Sequence, residues 1–476
     1  MVVGLGTFTR LLRRASRYWH VLVASMACMV IATSLNLVVP MFVREIVDQV
    51  LLEGRHDRLM VLSLAIVGVT ALRGVVSFAQ RYAGEYVGQR VAFDLRNSLF
   101  ASLQEKSFSF FDRARTGQLM SRATNDVDTV RMFLSFGMQA LVGSLLTVGG
   151  ILAIVVSMDV RLTLLSLLTF PLLFAFTFRF ARRIRPLFDQ SREVLGAMNS
   201  VLQENIVGTR VVRLFAREAF EEGKFADKNR RYLELGIEAS RLRSTFIPLM
   251  ILTLNLGTII VYWYGGRGVI AGGLSLGSLI AFNGYMTMLV MPVRFMGFLV
   301  AFLQNAMAGV GRVFEIIDTR SEVREKPEAV ELPPVKGEVR FVDVHFGYGE
   351  DKPILRGLNL TAKPMETIAL VGATGSGKST VINLIPRFYD IDSGRVMIDG
   401  HDVRDVTLKS LRGQIGIVAQ ETFLFQATIR ENISYGRPGA SMEEVVQAAG
   451  MAQAHDFITN LPDGYETVVG ERGVTL

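Results

Sequence analysis

Six long apolar segments constrain the fold of this chain more than any other feature of its sequence. They cover residues 21–43, 59–80, 132–158, 162–178, 244–266 and 268–293, and Arg73 is the only charged residue within them. A helix of about 20 apolar residues crosses the hydrocarbon core of a bilayer. A basic RLLRR stretch precedes the first segment, as in a signal peptide, but this apolar run exceeds a signal core and five more follow. The sequence therefore predicts a polytopic α-helical membrane domain of six spans.

The composition agrees with a membrane protein and excludes some kinds of site. Half of the residues are hydrophobic, 20% are charged, and the mean hydropathy is +0.35, whereas soluble domains carry about 25% charged residues. Cys28 is the single cysteine, so neither an internal disulfide nor a cysteine metal cluster can form. Basic arms near anionic lipid explain the net charge of +7, and no nucleic-acid partner is predicted.

Lysine and arginine are distributed unevenly among the connections between the segments. Residues 81–132 contain eight and residues 179–243 contain fourteen, whereas residues 50–60, 157–161 and 264–276 contain two, one and one. Because basic residues accumulate on the cytoplasmic side, the two long connections and both termini are predicted to be cytoplasmic. Three charged residues, Arg44, Glu45 and Asp48, then cluster at the outer end of the first span, where they are expected to pair with one another.

The two long cytoplasmic connections, the arms, have helical patterning. Apolar residues recur at every fourth position of the first arm, at Val87, Val91, Leu95, Leu99 and Leu103. A helix from Leu59 to Leu103 would be roughly 65 Å long and would extend well beyond the bilayer. Each arm turns at a polar segment, RTGQLMSR from Arg115 and ENIVGTRVVRLFAREAF from Glu204. These turns are candidates for docking on a cytosolic domain, with an ordinary solvated helical hairpin as the alternative.

The composition changes after the sixth span. Residues 318–337 contain three prolines and charges of alternating sign, a pattern typical of a linker between the transmembrane domain at 1–317 and a second domain at 338–476. Four strand-like stretches follow, at residues 342–346, 366–372, 394–400 and 414–420, and a helical stretch begins at residue 379. Alternating strands and helices predict the N-terminal part of an α/β P-loop nucleotide-binding domain.

A phosphate-binding pattern follows the second of these predicted strands. Gly372 is followed by four residues and then by Gly377, Lys378 and Ser379, which is the P-loop spacing. Glycines let the backbone approach phosphate, amides at a helix start attract anions, the lysine reaches the β- and γ-phosphates, and the serine binds Mg²⁺. ATP and Mg²⁺ are therefore the predicted cofactors. The predicted contact residues are Gly372, Ala373, Thr374, Gly375, Ser376, Gly377, Lys378, Ser379 and Thr380.

Several motifs together resemble one family. The phosphate loop, a tyrosine after an apolar strand, IGIVAQETFLFQATIRENI and the terminal VVGERGVTL resemble the nucleotide-binding half of an ATP-binding cassette (ABC) transporter. Six spans with two long arms, fused ahead of that domain, resemble the exporter-type half-transporters, which include lipid flippases and multidrug exporters. The resemblance implies a dimer with an identical or different second half-transporter, in a bacterial-type plasma membrane with the nucleotide domain in the cytoplasm.

The same resemblance implies roles for individual residues. Tyr348 would stack on adenine, and Gln420 would ligate Mg²⁺ or the attacking water. The alternatives are a core tyrosine and a surface glutamine. The stretches FFDRARTGQLMSRATNDVD and ENIVGTRVVRLFAREAF match the family's two coupling regions. The implied coupling residues are Thr116, Gly117, Gln118, Arg213, Phe215 and Glu471.

The resemblance also implies a function and its limits. ATP-driven export of a hydrophobic or amphipathic substrate is expected, and the methionine and phenylalanine content of the last span suits such a substrate. The family's signature loop would begin at Leu476, and its catalytic carboxylate and switch histidine would follow. No catalytic residue is assigned, and this chain alone is expected to bind ATP without turning it over. The alternatives are a non-catalytic regulatory or support subunit of a partner transporter, or an importer with the same fold.

Overall fold

The computed structural model describes residues 2–349, 353–420 and 423–470. The chain divides into two compact units, and each is considered by itself. The first unit comprises Met1–Lys106 and Phe110–Ser321, and the second comprises Ser107–Ser109 and Glu322–Leu476. The proline-containing segment after residue 321 therefore groups with the second unit.

Six helices that are long and apolar enough to cross a membrane dominate the first unit. They are α1 (Gly6–Leu52), α2 (Asp57–Gln104), α4 (Thr116–Met158), α5 (Val160–Val207), α7 (Glu218–Ile270) and α8 (Leu276–Asp318). Two short helices lie in the arms, α3 (Phe108–Arg113) and α6 (Thr209–Leu214). The six spans predicted from the sequence correspond to these six long helices in order, so the membrane-domain prediction is confirmed.

The boundary between the fifth and sixth spans differs from the prediction. The sixth segment was expected to begin at Gly268, but α7 continues to Ile270 and the turn occupies residues 271–275. Gly272 ends the helix because it adopts a φ of +75°, a conformation that glycine reaches without steric cost. Gly265 instead lies inside a helix, where a Cβ atom would lie only 2.5 Å from Cδ1 of Leu279. At Gly265, the pair of glycines therefore marks close packing of helices and not a turn.

The helix α2 shows why the first arm is a rigid extension of a span. It runs without interruption for 48 residues, about 70 Å at 1.5 Å per residue. The predicted apolar face is confirmed because Val87, Val91, Leu95 and Leu99 are all buried. Gly84 lets α4 approach closely, since a Cβ atom there would lie 1.8 Å from Nε2 of Gln139. The arm is thus held by a packed core shared by α1, α2, α4 and α8.

The second unit contains a four-stranded antiparallel sheet. Its strands are β1 (Val339–Gly347), β2 (Pro353–Ala362), β3 (Ser393–Ile398) and β4 (His401–Asp402), in the spatial order β2-β1-β3-β4. The predicted strand at 342–346 is confirmed within β1, and the one at 394–400 is confirmed for residues 394–398 of β3, whereas residues 399–400 form a turn. A bulge interrupts the expected alternation in β1, because Asp343 adopts a φ of +47°. Phe341 and Val344 therefore face the core, while Val342 is partly exposed.

Two other predicted strands are not formed. Residues 366–372 and 414–420 form neither a strand nor a helix, and Val371 and Val418 are 94% and 98% exposed. An extended segment becomes a strand only where a neighbouring backbone pairs with its N–H and C=O groups. Among the described residues, neither segment has such a neighbour. The sheet that is present is antiparallel and does not include these two segments.

Short helices complete the second unit around this sheet. They are α9 (Lys378–Leu384), α10 (Leu408–Arg412), α11 (Ile429–Ile433), α12 (Met442–Met451) and α13 (His455–Thr459). The helix predicted after the phosphate loop is confirmed as α9. The segment expected to be a free linker is partly docked, since Leu332 is buried and its backbone N–H donates to Oγ of Ser410 at 2.9 Å.

Candidate nucleotide-binding site

The phosphate loop curves tightly between β2 and α9. Gly375 and Gly377 adopt φ values of +84° and +92°, which residues with a Cβ atom rarely adopt. Gly377 also lies against β2, because a Cβ atom there would be 3.0 Å from Cγ2 of Ile354 and 3.1 Å from Cδ2 of Leu355. The two glycines are therefore required by backbone conformation, and Gly377 is also required by space.

The Lys378 side chain folds back over this loop. Its Nζ donates to the carbonyl oxygens of Gly372 and Ala373, both at 2.8 Å. The two carbonyls hold the ammonium group at the loop without neutralising its charge. A bound phosphate group would compete for the same donors as a charged acceptor, which forms the stronger hydrogen bond. The lysine thus lies where the P-loop pattern predicts a phosphate contact.

The start of α9 anchors the loop to the core. Thr380, Val381 and Leu384 are buried, so the first turn of this helix is fixed against the sheet. Ser379 immediately precedes these residues and is exposed. A hydroxyl at this position suits Mg²⁺, which prefers oxygen ligands and is commonly held with the help of substrate phosphates. Within the described ranges, no cluster of three or more His, Cys, Asp or Glu residues offers an alternative metal site.

Tyr348 lies beside the phosphate loop rather than in the core. Its hydroxyl is 3.2 Å from Oγ1 of Thr380, and its ring packs edge-on against Phe346 and Tyr389, with centroid distances of 5.1 Å for both. The residue is 47% exposed, so part of the ring remains accessible. The alternative of a fully buried core tyrosine does not describe this side chain. An accessible aromatic ring near a phosphate loop is suited to stacking on a nucleobase.

Gln420 is less clearly placed. It ends the irregular segment 414–420 and is exposed to solvent. In the parts of the chain that the structure describes, no hydrogen bond joins Gln420 to the phosphate loop. The structure therefore brings Tyr348, Lys378 and Thr380 together but does not add Gln420 to this group.

The coupling residues predicted for the arms are exposed. Thr116, Gly117 and Gln118 form the first turn of α4, and Arg213 and Phe215 lie at the end of α6. Phe215 is 68% exposed, which is unusual for a large apolar side chain in water. Glu471 lies outside the described residues.

One residue of the first arm was missed in the sequence. Phe108 belongs to the short Ser107–Ser109 segment of the second unit, where its ring lies 4.3 Å from that of Phe388 and 6.2 Å from that of Tyr389, centroid to centroid. The FSFFD aromatic run at residues 108–112, just before the predicted polar turn at Arg115, was the available signal. Such a run is expected to bury its rings against another surface.

Comparisons with known proteins follow the division seen in the structure. Residues 22–293 match the family of the ABC transporter transmembrane region, and residues 355–471 match the ABC transporter family. The chain belongs to the ABC transporter family. It is 38% identical over 469 residues to an ATP-dependent lipid A-core flippase of Syntrophus aciditrophicus (strain SB), covering 98% of this chain and 78% of the relative.

Two further similarities concern exporters. A putative multidrug export ATP-binding/permease protein of Bacillus subtilis (strain 168) is 36% identical over 479 residues, covering 99% of this ABC transporter chain and 83% of the relative. A bacterial Atm1-family ABC exporter with ATP bound superposes with a TM-score of 0.76 at 29% identity, covering 96% of this chain and 81% of that chain. The predicted family resemblance and fold class are confirmed.

The chain is thus a half-transporter in which a membrane domain and a nucleotide-binding domain are fused. It is a multi-pass membrane protein whose nucleotide-binding domain is cytoplasmic, as the distribution of basic residues predicted. Its relatives are transporter ATPases of the exporter type.

Proposed function

We propose that this ABC half-transporter pairs with a second half-transporter, identical or different, to export a hydrophobic or amphipathic molecule across the bilayer at the expense of ATP. The observation that carries the proposal is the phosphate loop with Lys378 at its mouth, fused to six helices that can cross a membrane. Residues 1–317 would form the transmembrane domain, 318–337 its linker, and 338–476 part of the nucleotide-binding domain.

The nucleotide would be held by the loop and by one aromatic ring. Backbone amides at the start of α9 would face the phosphates, and Lys378 would exchange its carbonyl acceptors for phosphate oxygens. Tyr348 would stack on adenine, while the remaining loop residues would supply curvature and amides. ATP supplies the energy of its terminal phosphoanhydride bond when it is bound. The chain's own residues bind, orient and partly shield it.

Magnesium would bind beside the phosphates. The hydroxyl of Ser379 is exposed at the required end of α9, and hydroxyl and amide oxygens match the preference of Mg²⁺. We assign Ser379 as a ligand, and we assign Gln420 as a second ligand or as a contact of the attacking water. Because Gln420 is exposed and not yet joined to the loop, its assignment requires the segment 414–420 to close over the nucleotide.

A cavity between membrane helices supports the proposed substrate class. It has a volume of about 210 Å³ and lies between α5, α7 and α8. Hydroxyl and amide groups from Thr169, Asn255 and Thr287 share its wall with Phe170 and Met286. No charged side chain lines it, and burying an unpaired charge in a membrane is costly. Such a wall fits the apolar or uncharged part of an amphipathic molecule.

The exposed turns of the two arms would transmit the nucleotide state to the spans. We propose that Thr116, Gly117 and Gln118 in the first arm, with Arg213 and Phe215 in the second and Glu471 of the nucleotide-binding domain, form the coupling contacts. The exposed Phe215 ring supports this role, because it requires a partner surface to leave water.

Binding of nucleotide to the purified chain in detergent or nanodiscs tests the proposal directly. Lys378→Ala removes a charge-assisted phosphate contact and should weaken MgATP binding by roughly tenfold or more. The control is Lys409→Ala, which removes an exposed lysine of α10 in the same unit. Equal MgATP affinity for the two variants would contradict the proposed role of the loop. A matching test of Tyr348→Ala and Tyr348→Phe separates ring stacking, lost only in the first, from the hydroxyl contact to Thr380.

A further inference from the structure

One carboxylate joins the outer ends of the first and sixth spans. The Ser275 hydroxyl donates to Oδ2 of Asp48 at 2.5 Å, and the backbone N–H of Gly277 donates to Oδ1 at 2.7 Å. Ser275 is the N-cap residue of α8 and Gly277 lies in its first turn, whereas Asp48 lies near the end of α1. We name this contact of Asp48, Ser275 and Gly277 the outer clasp.

The clasp gives two donors at the start of α8 a charged acceptor. The first N–H groups of a helix lack intrahelical partners, and a negative charge is favourable at this end of the helix dipole. Oγ of Ser275 also accepts from the N–H of Ser278 at 3.0 Å. Oγ of Ser278 lies 2.7 Å from the Ser275 hydroxyl and is an alternative acceptor for its single proton. Removing the carboxylate would take the charged acceptor away from both Ser275 and Gly277.

Close packing accompanies these hydrogen bonds. A Cβ atom at position 277 would lie 2.3 Å from the carbonyl oxygen of Arg44 and 2.7 Å from Cγ of Asp48. The two helices therefore touch backbone to backbone, and only glycine fits. The pairing expected among Arg44, Glu45 and Asp48 is present only as a longer contact, with Nε of Arg44 3.7 Å from Oδ2 of Asp48. The main partners of Asp48 are on the sixth span.

The same two helices also meet further along their length, at Leu37 and Tyr285. The Tyr285 hydroxyl donates to the carbonyl oxygen of Leu37 at 2.6 Å, and Tyr285 is fully buried. Pro40 follows Leu37 by three residues and has no backbone N–H to donate to the carbonyl of Asn36, so one hydrogen bond of α1 is missing in the turn beside this contact. Gly284 lies opposite, since a Cβ atom there would be 3.7 Å from Cβ of Pro40.

The two contacts differ in what can replace them when they break. The Asp48 side chain is 20% exposed, so water can reach the clasp and accept or donate its hydrogen bonds. Tyr285 is fully buried, and opening there would leave its hydroxyl unpaired in an apolar surrounding. Separation of α1 from α8 is therefore least costly at the outer end.

We propose that Asp48 is a positioning residue of the transport cycle, whose clasp closes the outer ends of α1 and α8 and opens when the pathway opens outward. The contact between Pro40 and Gly284 is the pivot of this movement. The inference rests on the proposed function, because an exporter must release its substrate on the outer side. It adds a residue and a location for the gate.

A single cysteine near the clasp reports its opening in the full chain in intact cells. Cys28→Ser removes the native thiol, and Val50→Cys places a probe at a fully buried position two residues after Asp48. Asp48→Ala should increase the labelling rate by a membrane-impermeant maleimide on the order of tenfold, since it removes charge-assisted hydrogen bonds. Gly277→Ala should act in the same direction by forcing the helices apart.

Three comparisons make the result decisive. Glu53→Ala removes a carboxylate of the same outer connection that is 53% exposed and pairs only at 3.2 Å with Arg55, and it should leave labelling unchanged. Ser275→Ala should give a smaller increase in the labelling rate. If Asp48→Ala lowers the amount of protein in the membrane, the labelling rate of Ser275→Ala tests the clasp in its place. A probe at the buried Val155 of α4 should stay unlabelled in all variants, because general unfolding would expose it as well.

The clasp would be refuted if Asp48→Ala and Ser275→Ala label no faster than Glu53→Ala, or if the Val155→Cys probe rises in parallel. Repeating the experiment with Lys378→Ala separates this outcome from failure of the proposed function. The effect of Asp48→Ala should persist there, since the clasp does not need nucleotide to break. Unchanged labelling between Lys378→Ala and its parent would count against ATP-driven opening while leaving the clasp supported by the Asp48 comparison.

Discussion

Two apolar regions of this half-transporter, α2 and residues 366–372, differ in how their backbones are satisfied. The 48 residues of α2 pair their own N–H and C=O groups along the helix, so the helix needs neighbours only for its side chains. Residues 366–372 are also largely apolar, but they form no helix or strand. Ile368 and Leu370 remain partly exposed, and Val371 is 94% exposed. Without a neighbouring strand, this segment has neither a ladder nor a covered face.

The difference shows that apolar character alone does not place a residue in a core. In α2 the helix satisfies its own backbone and buries one face, so Leu95 is fully buried against α1, α4 and α8. In an extended segment, backbone pairing and burial must arrive together, because an unpaired strand cannot be buried without losing hydrogen bonds to water. The helices of the first unit can therefore form their backbone hydrogen bonds without a partner, whereas the residues around the phosphate loop need a neighbouring strand to do so.

The largest expected effect tests this contrast with two truncations. Leu95→Ala leaves a cavity in a closed core and should lower the free energy of unfolding by about 2–5 kcal/mol. Val371→Ala removes a side chain already in water in this chain and should change it by less than about 0.5 kcal/mol. Thermal unfolding of both variants in the same detergent gives the comparison. A similar loss for both would mean that residues 366–372 are packed, which would remove the distinction drawn here.

Much of the helical unit was predictable from the sequence, for the same physical reason. Long apolar runs and the four-residue spacing from Val87 to Leu99 act locally, and a helix needs only local interactions to form its hydrogen bonds. The boundary at Gly268 was wrong because paired glycines mark both turns and close helix contacts. The outer clasp joins Asp48 to Gly277, a separation of 229 residues, and no local pattern carries such information.

The nucleotide site was predictable in part. The glycine spacing predicts a curved loop, and the left-handed conformations of Gly375 and Gly377 agree with it. The strands at 366–372 and 414–420 were wrong because their runs specify apolar character but not a pairing partner. An available signal was overlooked at Asp399-Gly400, where both residues have positive φ, +47° and +85°, in a two-residue hairpin turn between β3 and β4. The assigned roles of Tyr348 and Gln420 remain proposals.

An intermediate effect is expected at Gly377, where a substitution changes the backbone conformation of the phosphate loop. Gly377→Ala places a Cβ atom in a left-handed conformation, at about 1–2 kcal/mol, and within 3.0 Å of β2. The loop should shift, and MgATP binding should fall by roughly tenfold. Gly416→Ala is the control, because a Cβ atom there meets nothing within 4 Å. Unaltered binding of MgATP by Gly377→Ala would show that the loop curvature is adjustable, contrary to its close fit against β2.

The smallest expected effect concerns pH at the docked segment before β1. The carboxylate of Asp399 accepts hydrogen bonds from the backbone N–H groups of Lys336, Gly337 and Glu338, the latter two at 3.2 Å and 2.8 Å. Partial desolvation by itself raises the pKa of Asp399, but the hydrogen bonds from Glu338, Gly337 and Lys336 outweigh it and hold this pKa below its usual range. The segment is thereby tied to the β3–β4 turn.

The sign of the pH effect follows from this depressed pKa. The stabilisation is fully present above the unfolded pKa of about 3.9 and is lost as the pH falls through the lower folded value. Amide hydrogen exchange at residues 336–338, corrected for intrinsic rates, should therefore lose protection below about pH 4. In Asp399→Asn protection should be weaker at neutral pH and should not depend on pH in this window. If the two chains keep equal protection at pH 7, the docking of this segment does not depend on the carboxylate, and it must rest instead on the burial of Leu332 and its hydrogen bond to Ser410.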